Sequence, residues 1–257
     1  MGKNTGGEAQ HTLSEKAAAW AVHIFTASGV LWGLLALSAI FDGRTIDAYL
    51  WMFIAVMVDA VDGFLARKFR VKAVVPQIDG ALLDNVVDYL NWSFIPAIFL
   101  WRSGWLLEPG IFWAGCILMC SAFAFVHTDA KVIAHGYFRG FPSYWNIFAF
   151  LCDVTIRSLG SAMPDHISLV VTSLLVLFCI LSVLPVYFVY PTRVVRWKPF
   201  FTWGSGIWTV QCGVMVLMYP DIPQWLFFSS LIFPSIYLLL GVLWTPRVHR
   251  EIHSGTH

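Results

Sequence analysis

Four aspartates carry the chemistry this sequence offers. Asp59 and Asp62 stand three residues apart, and Asp84 and Asp88 stand four apart. On a helix, either spacing puts both carboxylates on one face. Strongly apolar sequence flanks both pairs. Carboxylates in such surroundings are costly to keep charged unless they are paired or hold a metal. Convergence on one or two divalent cations is the simplest solution for four of them. All-oxygen ligands beside a phosphate suit Mg2+ or Mn2+.

Between and beside the acids lie Gly63, Ala66, Arg67 and Gly80. The two glycines carry no side chain, so a nucleotide or a neighbouring backbone can come close. Small residues also pack membrane helices. Next to four acids, nucleotide access is the favoured reading. Lys68, Arg70 and Lys72 have a topological explanation as basic residues of a loop. Asp79 matches neither acid pair and reads as a helix cap.

The elements that must hold these residues are membrane helices. The hydrophobic fraction is 58% without counting glycine, and only 12% of residues are charged. Ordinary soluble domains reach about 45–50% with glycine included and carry about 25% charge. The expected fold is an all-α polytopic integral membrane protein. A spanning helix needs about 20 residues. Candidate spans fall near 17–40, 47–67, 78–101, 109–127, 143–160, 167–190, 200–219 and 223–243, which makes about eight. The expected organisation is an N-terminal cytoplasmic segment over 1–16, a transmembrane catalytic domain over 17–243 and a cytoplasmic tail over 244–257. Residues 1–16 are polar, and the first apolar stretch reads as a retained helix rather than a cleaved signal.

The basic residues orient this array. With the N-terminus inside and eight alternating spans, all sixteen lysines and arginines except Arg44, Arg102 and Arg157 fall on the inner side. This is the positive-inside pattern. It puts both termini and the aspartates at the cytoplasmic face, where water, metal and a lipid headgroup meet. The five cysteines, all in apolar segments, read as core filler. The net charge of +1 gives no indication of nucleic acid.

The run Asp59-Ala-Val-Asp62-Gly63-Phe-Leu-Ala66-Arg67, followed by Gly80-Ala-Leu-Leu-Asp84-Asn-Val-Val-Asp88, resembles the CDP-alcohol phosphotransferase signature. That signature is DxxDGxxAR, a spacer, then GxxxDxxxD, and every fixed position is present. Its members are integral membrane enzymes that cleave a CDP-linked substrate and transfer its phosphoryl group to an alcohol. The resemblance implies that Asp62, Gly63, Ala66, Arg67 and Gly80 hold the cytidine diphosphate. It implies that Asp59, Asp62, Asp84 and Asp88 bind divalent cations, two ions of Mn2+ or Mg2+. Asp88 matches the acid assigned as general base.

Twelve residues separate Arg67 from Gly80, more than in the commonest form of the pattern. That spacer resembles the bacterial phosphatidylcholine synthase branch of the family. So do the chain length, the eight expected spans and the segment FRGFPSYWN at 138–146. The resemblance implies CDP-diacylglycerol and choline as substrates, with CMP released. It also implies membrane phospholipids as surroundings and the bacterial inner membrane as location, and it allows a homodimer. Serine or another alcohol as acceptor is the near alternative. An ion-coupled transporter using the same acids with Asp153 is the distant one.

Choline is a quaternary ammonium, which donates no hydrogen bond and is recognised best by aromatic faces. Tyr89, Trp92, Tyr144, Trp145, Tyr187 and Tyr190 stand at expected cytoplasmic ends and are the candidate contacts. With 13 Trp, 8 Tyr and 21 Phe in the chain, each serves equally well as packing or as an interfacial anchor.

Overall fold

Helix 1, α1 (Leu13–Phe41), opens with a capping box. The Thr12 hydroxyl accepts from the Glu15 N–H, and the Glu15 carboxylate accepts from the Thr12 N–H at 2.9 Å. α1 folds back through Asp42–Arg44 onto α2 (Thr45–Lys68). Arg44 fastens this turn by ion pairs to Asp42 and Asp47. The computed structural model describes residues 11–127, 131–132, 136–160, 166–190 and 197–254. Most of the expected N-terminal segment, and the basic Lys3, Arg193 and Arg196, lie outside the described residues.

After α2 the chain turns at Arg70, in the left-handed region, into the one-turn α3 (Val71–Val74). Val71, Val74 and Val75 pack against Ala19 and Val22 of α1 in a small separate core. The twelve-residue spacer therefore folds back under the first two helices. Asp79 caps the next helix, α4 (Gly80–Asp88), by accepting from the N–H groups of Ala81 and Leu82 at 3.0 and 3.1 Å. This is the cap expected of it.

The third apolar stretch is one continuous helical rod of three parts. α4 runs into a π-helical turn (Tyr89–Phe94) and then α5 (Ile95–Arg102). The wide turn has a local cause. Pro96 has no N–H to give the carbonyl of Trp92, and the Ile95 N–H reaches back to Leu90 instead. The turn begins directly after Asp88, a common position for such turns at functional sites.

The remaining helices are α6 (Gly110–Val126), α7 (Trp145–Leu159), α8 (Ile167–Val183), α9 (Lys198–Met218), α10 (Gln224–Ser230) and α11 (Ile232–Ser254). Among the described residues, four helical stretches are long and apolar enough to cross a membrane: α1, α2, α9 and the α10–α11 run. α6 and α8 are shorter and apolar. Large apolar side chains lie exposed on these helices, among them Leu217, Trp203 and Ile207. A water-facing surface does not carry such a belt, whereas lipid stabilises it.

Two boundaries differ from expectation. The helix expected over 167–190 stops at Val183, because Pro185 drives Leu184 into extended backbone. The chain then forms β3 (Tyr187–Val189), which pairs antiparallel with β2 (Tyr137–Arg139). β2 in turn pairs with β1 (Lys131–Val132). Gly140, at φ +83°, passes so close to the Ser182 carbonyl that a Cβ would collide with it. Residues 244–254, expected as a tail, continue α11. They are held because Thr245 accepts the Tyr187 N–H at 2.9 Å and Val248 is buried. Apart from this small sheet the described fold is all-α.

Candidate metal centre and nucleotide site

α2 and α4 bring three of the four aspartates together. Asp59, Asp84 and Asp88 each offer a carboxylate oxygen, and these atoms lie within 4.8 Å of one another. The three are half-buried. Asp84 and Asp88 share one face of α4 through their four-residue spacing, and Asp59 meets them from α2. Three hard oxygen donors at this separation fit a hard divalent cation. Like charges this close are mutually repulsive without one.

Asp62, the fourth, is buried beside them, near enough to Asp84 and Asp59 for direct electrostatic repulsion. Its hydrogen-bonding partners are the Thr26 hydroxyl and the Gly63 backbone N–H. It is thus anchored to the first helix as well as placed near the triad.

The small residues line the same region. A Cβ on Gly63 would meet only the Arg67 guanidinium, 3.4 Å from Nη1, so Arg67 folds back along its own helix over Gly63. A Cβ on Gly80 would lie 3.2 Å from Cε1 of His23. Ala66 packs against the small core under α1 and α2. Arg67 is exposed.

His23 and Thr26 were not singled out from the sequence. They lie three residues apart on α1, both buried, one against Gly80 and one against Asp62. His23 Nε2 has no hydrogen-bond partner. The available signal was two polar residues at helical spacing in an otherwise apolar span.

The six aromatic candidates separate. Trp92, in the π-helical turn, packs on Tyr144 with ring centroids 5.4 Å apart. Tyr144 lies within electrostatic reach of Asp59 and of Tyr190, and its hydroxyl pairs with that of Tyr237. Tyr190 stacks on Phe138 at 4.5 Å. These three candidates therefore gather around Tyr144, which lies within electrostatic reach of Asp59. Trp145 is fully buried and gives its indole N–H to the Ser121 hydroxyl at 2.9 Å. Tyr187 is buried in β3, its ring 6.3 Å from that of His249. Tyr89 donates to the Leu118 carbonyl of α6 at 3.1 Å.

From the Trp92–Tyr144–Tyr237 group a cavity of about 570 Å3 opens among α2, α7, α8, α9 and α11. Its walls are almost wholly apolar, with Met52, Phe53 and Ile156 among them.

Relatives of the chain carry one name. A phosphatidylcholine synthase from Legionella pneumophila is 38% identical over 243 residues, covering 90% of this chain and 89% of that protein. The chain belongs to the phosphatidylcholine synthase family. A member from Pseudomonas aeruginosa is 37% identical over 82% of the chain and 86% of its own length. Another from Borreliella burgdorferi is 41% identical over 68% of the chain and 71% of its own. No protein-family model matches the chain. No solved structure matches it.

Proposed function

We propose that this chain is a phosphatidylcholine synthase. It transfers the phosphatidyl group of CDP-diacylglycerol to choline and releases CMP. The observation that carries the reading is the Asp59–Asp84–Asp88 triad, whose carboxylate oxygens lie within 4.8 Å of one another and suit the divalent cation a pyrophosphate needs. The family membership supports the same activity.

In this reading Gly63 and Gly80 let the nucleotide approach the backbone of α2 and α4, and Arg67 meets its phosphate. Asp59, Asp84 and Asp88, with Asp62 beside them, hold two divalent cations, Mn2+ or Mg2+. Such ions neutralise the pyrophosphate and the charge that builds on the leaving CMP. Trp92, Tyr144 and Tyr190 enclose the choline ammonium, and Asp59 nearby adds attraction. Asp88 takes the proton of the choline hydroxyl as that oxygen attacks the β-phosphorus. A P–O bond to choline forms and the P–O bond to CMP breaks. Placement of the two substrates against one another does as much as the proton transfer.

The wider reading is a multi-pass protein of the bacterial inner membrane with eight crossings. The helical rod Gly80–Arg102 and α7 join the six apolar stretches above to give that number. Both termini and the acidic site lie on the cytoplasmic side, as the distribution of basic residues indicates. The catalytic domain is 17–243. A homodimer rests on family resemblance alone and is tested by the mass of the purified protein in detergent.

An acceptor panel tests the activity. Purified chain is given CDP-diacylglycerol with Mn2+ or Mg2+, and choline, serine, inositol or glycerol 3-phosphate. Choline-dependent CMP release with formation of phosphatidylcholine is expected. Robust transfer to serine without transfer to choline would overturn the reading.

A further inference from the structure

α1 turns a polar face toward both halves of the acidic motif. His23 and Thr26, three residues apart, share that face. The Thr26 hydroxyl is engaged by Asp62 on α2. His23 reaches the start of α4 instead, and the ring edge formed by Cε1 and Nδ1 faces Gly80. A Cβ on Gly80 would lie 3.2 Å from Cε1 and 3.7 Å from Nδ1. Trp20, one turn earlier on α1, flanks the imidazole edge-on with ring centroids 6.1 Å apart. Asp79 already accepts from the N–H groups of Ala81 and Leu82, so two donors in the first turn of α4 are engaged.

His23 is 5% exposed, and no described residue is hydrogen-bonded to its ring. A buried polar group left in this state is costly and calls for a partner. The ring makes no ion pair among the described residues, and a buried cation without one is costlier still. The imidazole is therefore neutral, with one N–H and one bare nitrogen. Nε2 is sealed from solvent and meets no acceptor. A buried N–H without an acceptor is the rarer orphan, and an unused lone pair is the milder one. This assigns the proton to Nδ1, on the edge that faces Gly80. His23 thus turns a neutral N–H donor toward the place where a side chain at position 80 would stand.

We propose that His23 binds the donor nucleotide, its Nδ1–H donating to an oxygen of the cytidine diphosphate that approaches Gly80. The inference rests on the reading of CDP-diacylglycerol as the donor. Arg67 and the cations of the triad answer the charge of the phosphates. A neutral donor of fixed direction adds orientation, and burial strengthens its bond by excluding water. The nucleotide is then held by three helices. α2 and α4 supply the motif, and α1 supplies a specificity-determining contact from outside it.

Three variants of the full chain test this in mild detergent with Mn2+. His23→Phe keeps a ring and removes both nitrogens. His23→Asn places an amide N–H close to the position of Nδ1, and His23→Gln places one close to that of Nε2. Equilibrium dialysis with radiolabelled CMP measures nucleotide binding, and steady-state kinetics gives the KM of each substrate. In His23→Phe and His23→Gln, CMP binding should weaken and the KM for CDP-diacylglycerol should rise, each by about 3- to 10-fold, the worth of one hydrogen bond. The KM for choline should not change. His23→Asn should stay within about twofold of wild type. Unchanged CMP affinity in His23→Phe, or equal losses in His23→Asn and His23→Gln, would overturn the proposal. Where His23→Phe does not fold, the comparison of His23→Asn with His23→Gln decides it. If the wild type binds CMP but transfers nothing to choline, the activity falls, and CMP binding by the variants still decides the role of His23.

Discussion

The side-chain amide of Asn91 donates to the backbone carbonyl of Gly29 at 3.1 Å and lies against Gly33 on the next turn of α1. This contact fixes α1, which carries His23 and Thr26, against the π-helical turn that follows Asp88. Gly29 and Gly33, four residues apart, allow that approach. A Cβ on Gly33 would lie 2.7 Å from Asn91 Oδ1. Gly33→Val should lower stability by about 1–3 kcal/mol through overpacking and reduce transfer as α1 shifts. Asn91→Ala in the same chain makes room, so the double variant should recover part of the lost melting temperature. Equal losses with and without the second change would contradict the contact.

The metal reading is tested by binding rather than by turnover alone. Asp84→Asn removes one charged donor from a triad whose oxygens lie within 4.8 Å. Mn2+ affinity, measured by electron paramagnetic resonance on the full chain, should fall by more than the roughly 10–100-fold typical of outer-shell losses. Chelation should stop CMP release, and added Mn2+ or Mg2+ should restore it. Asp88→Asn should lower turnover while CDP-diacylglycerol still binds. Unchanged Mn2+ binding in Asp84→Asn would remove the basis for a metal site there.

Thr26 reaches Asp62 from a helix outside the motif. A hydrogen bond to a charged group contributes about 1.5–3 kcal/mol. Thr26→Val keeps the shape and removes the hydroxyl. It should lower the melting temperature, as loss of that bond requires, and lower kcat/KM for CDP-diacylglycerol about tenfold or more. Thr26→Ser should retain most activity. If both variants behave as wild type, the anchor has no functional weight.

Much of this site was legible in the sequence because its spacing is local. Asp84 and Asp88 share a helical face by their interval alone, and Asp79 announced its cap. The meeting of Asp59 with that pair follows from two consecutive helices joined by a short spacer. What was not legible is long-range. His23 and Thr26 reach the site only through the packing of α1, for which two glycines are a weak signal. The small sheet hides in short apolar runs, and only Pro185 marks where the helix before β3 must stop. Trp145 and Tyr144 are sequence neighbours with different surroundings, one fully buried and one within electrostatic reach of Asp59. Adjacent aromatic residues carry no pattern that separates them before the fold is known.

That separation makes the proposed choline site testable. Each cation–π contact contributes about 0.5–2 kcal/mol, rising as water is excluded. Trp92→Leu and Tyr144→Leu remove an aromatic face each and keep apolar bulk. Each should raise the apparent KM for choline by about 2- to 30-fold, with the KM for CDP-diacylglycerol unchanged. Tyr144→Phe keeps the ring and should shift it little. Trp145→Phe is the contrast: it removes the indole N–H that Ser121 accepts, so it should lower the melting temperature and leave choline KM alone. Steady-state kinetics with each substrate varied in turn decides the matter. A rise in choline KM for Trp145→Phe but for neither Trp92→Leu nor Tyr144→Leu would move the acceptor pocket to the other side of α7.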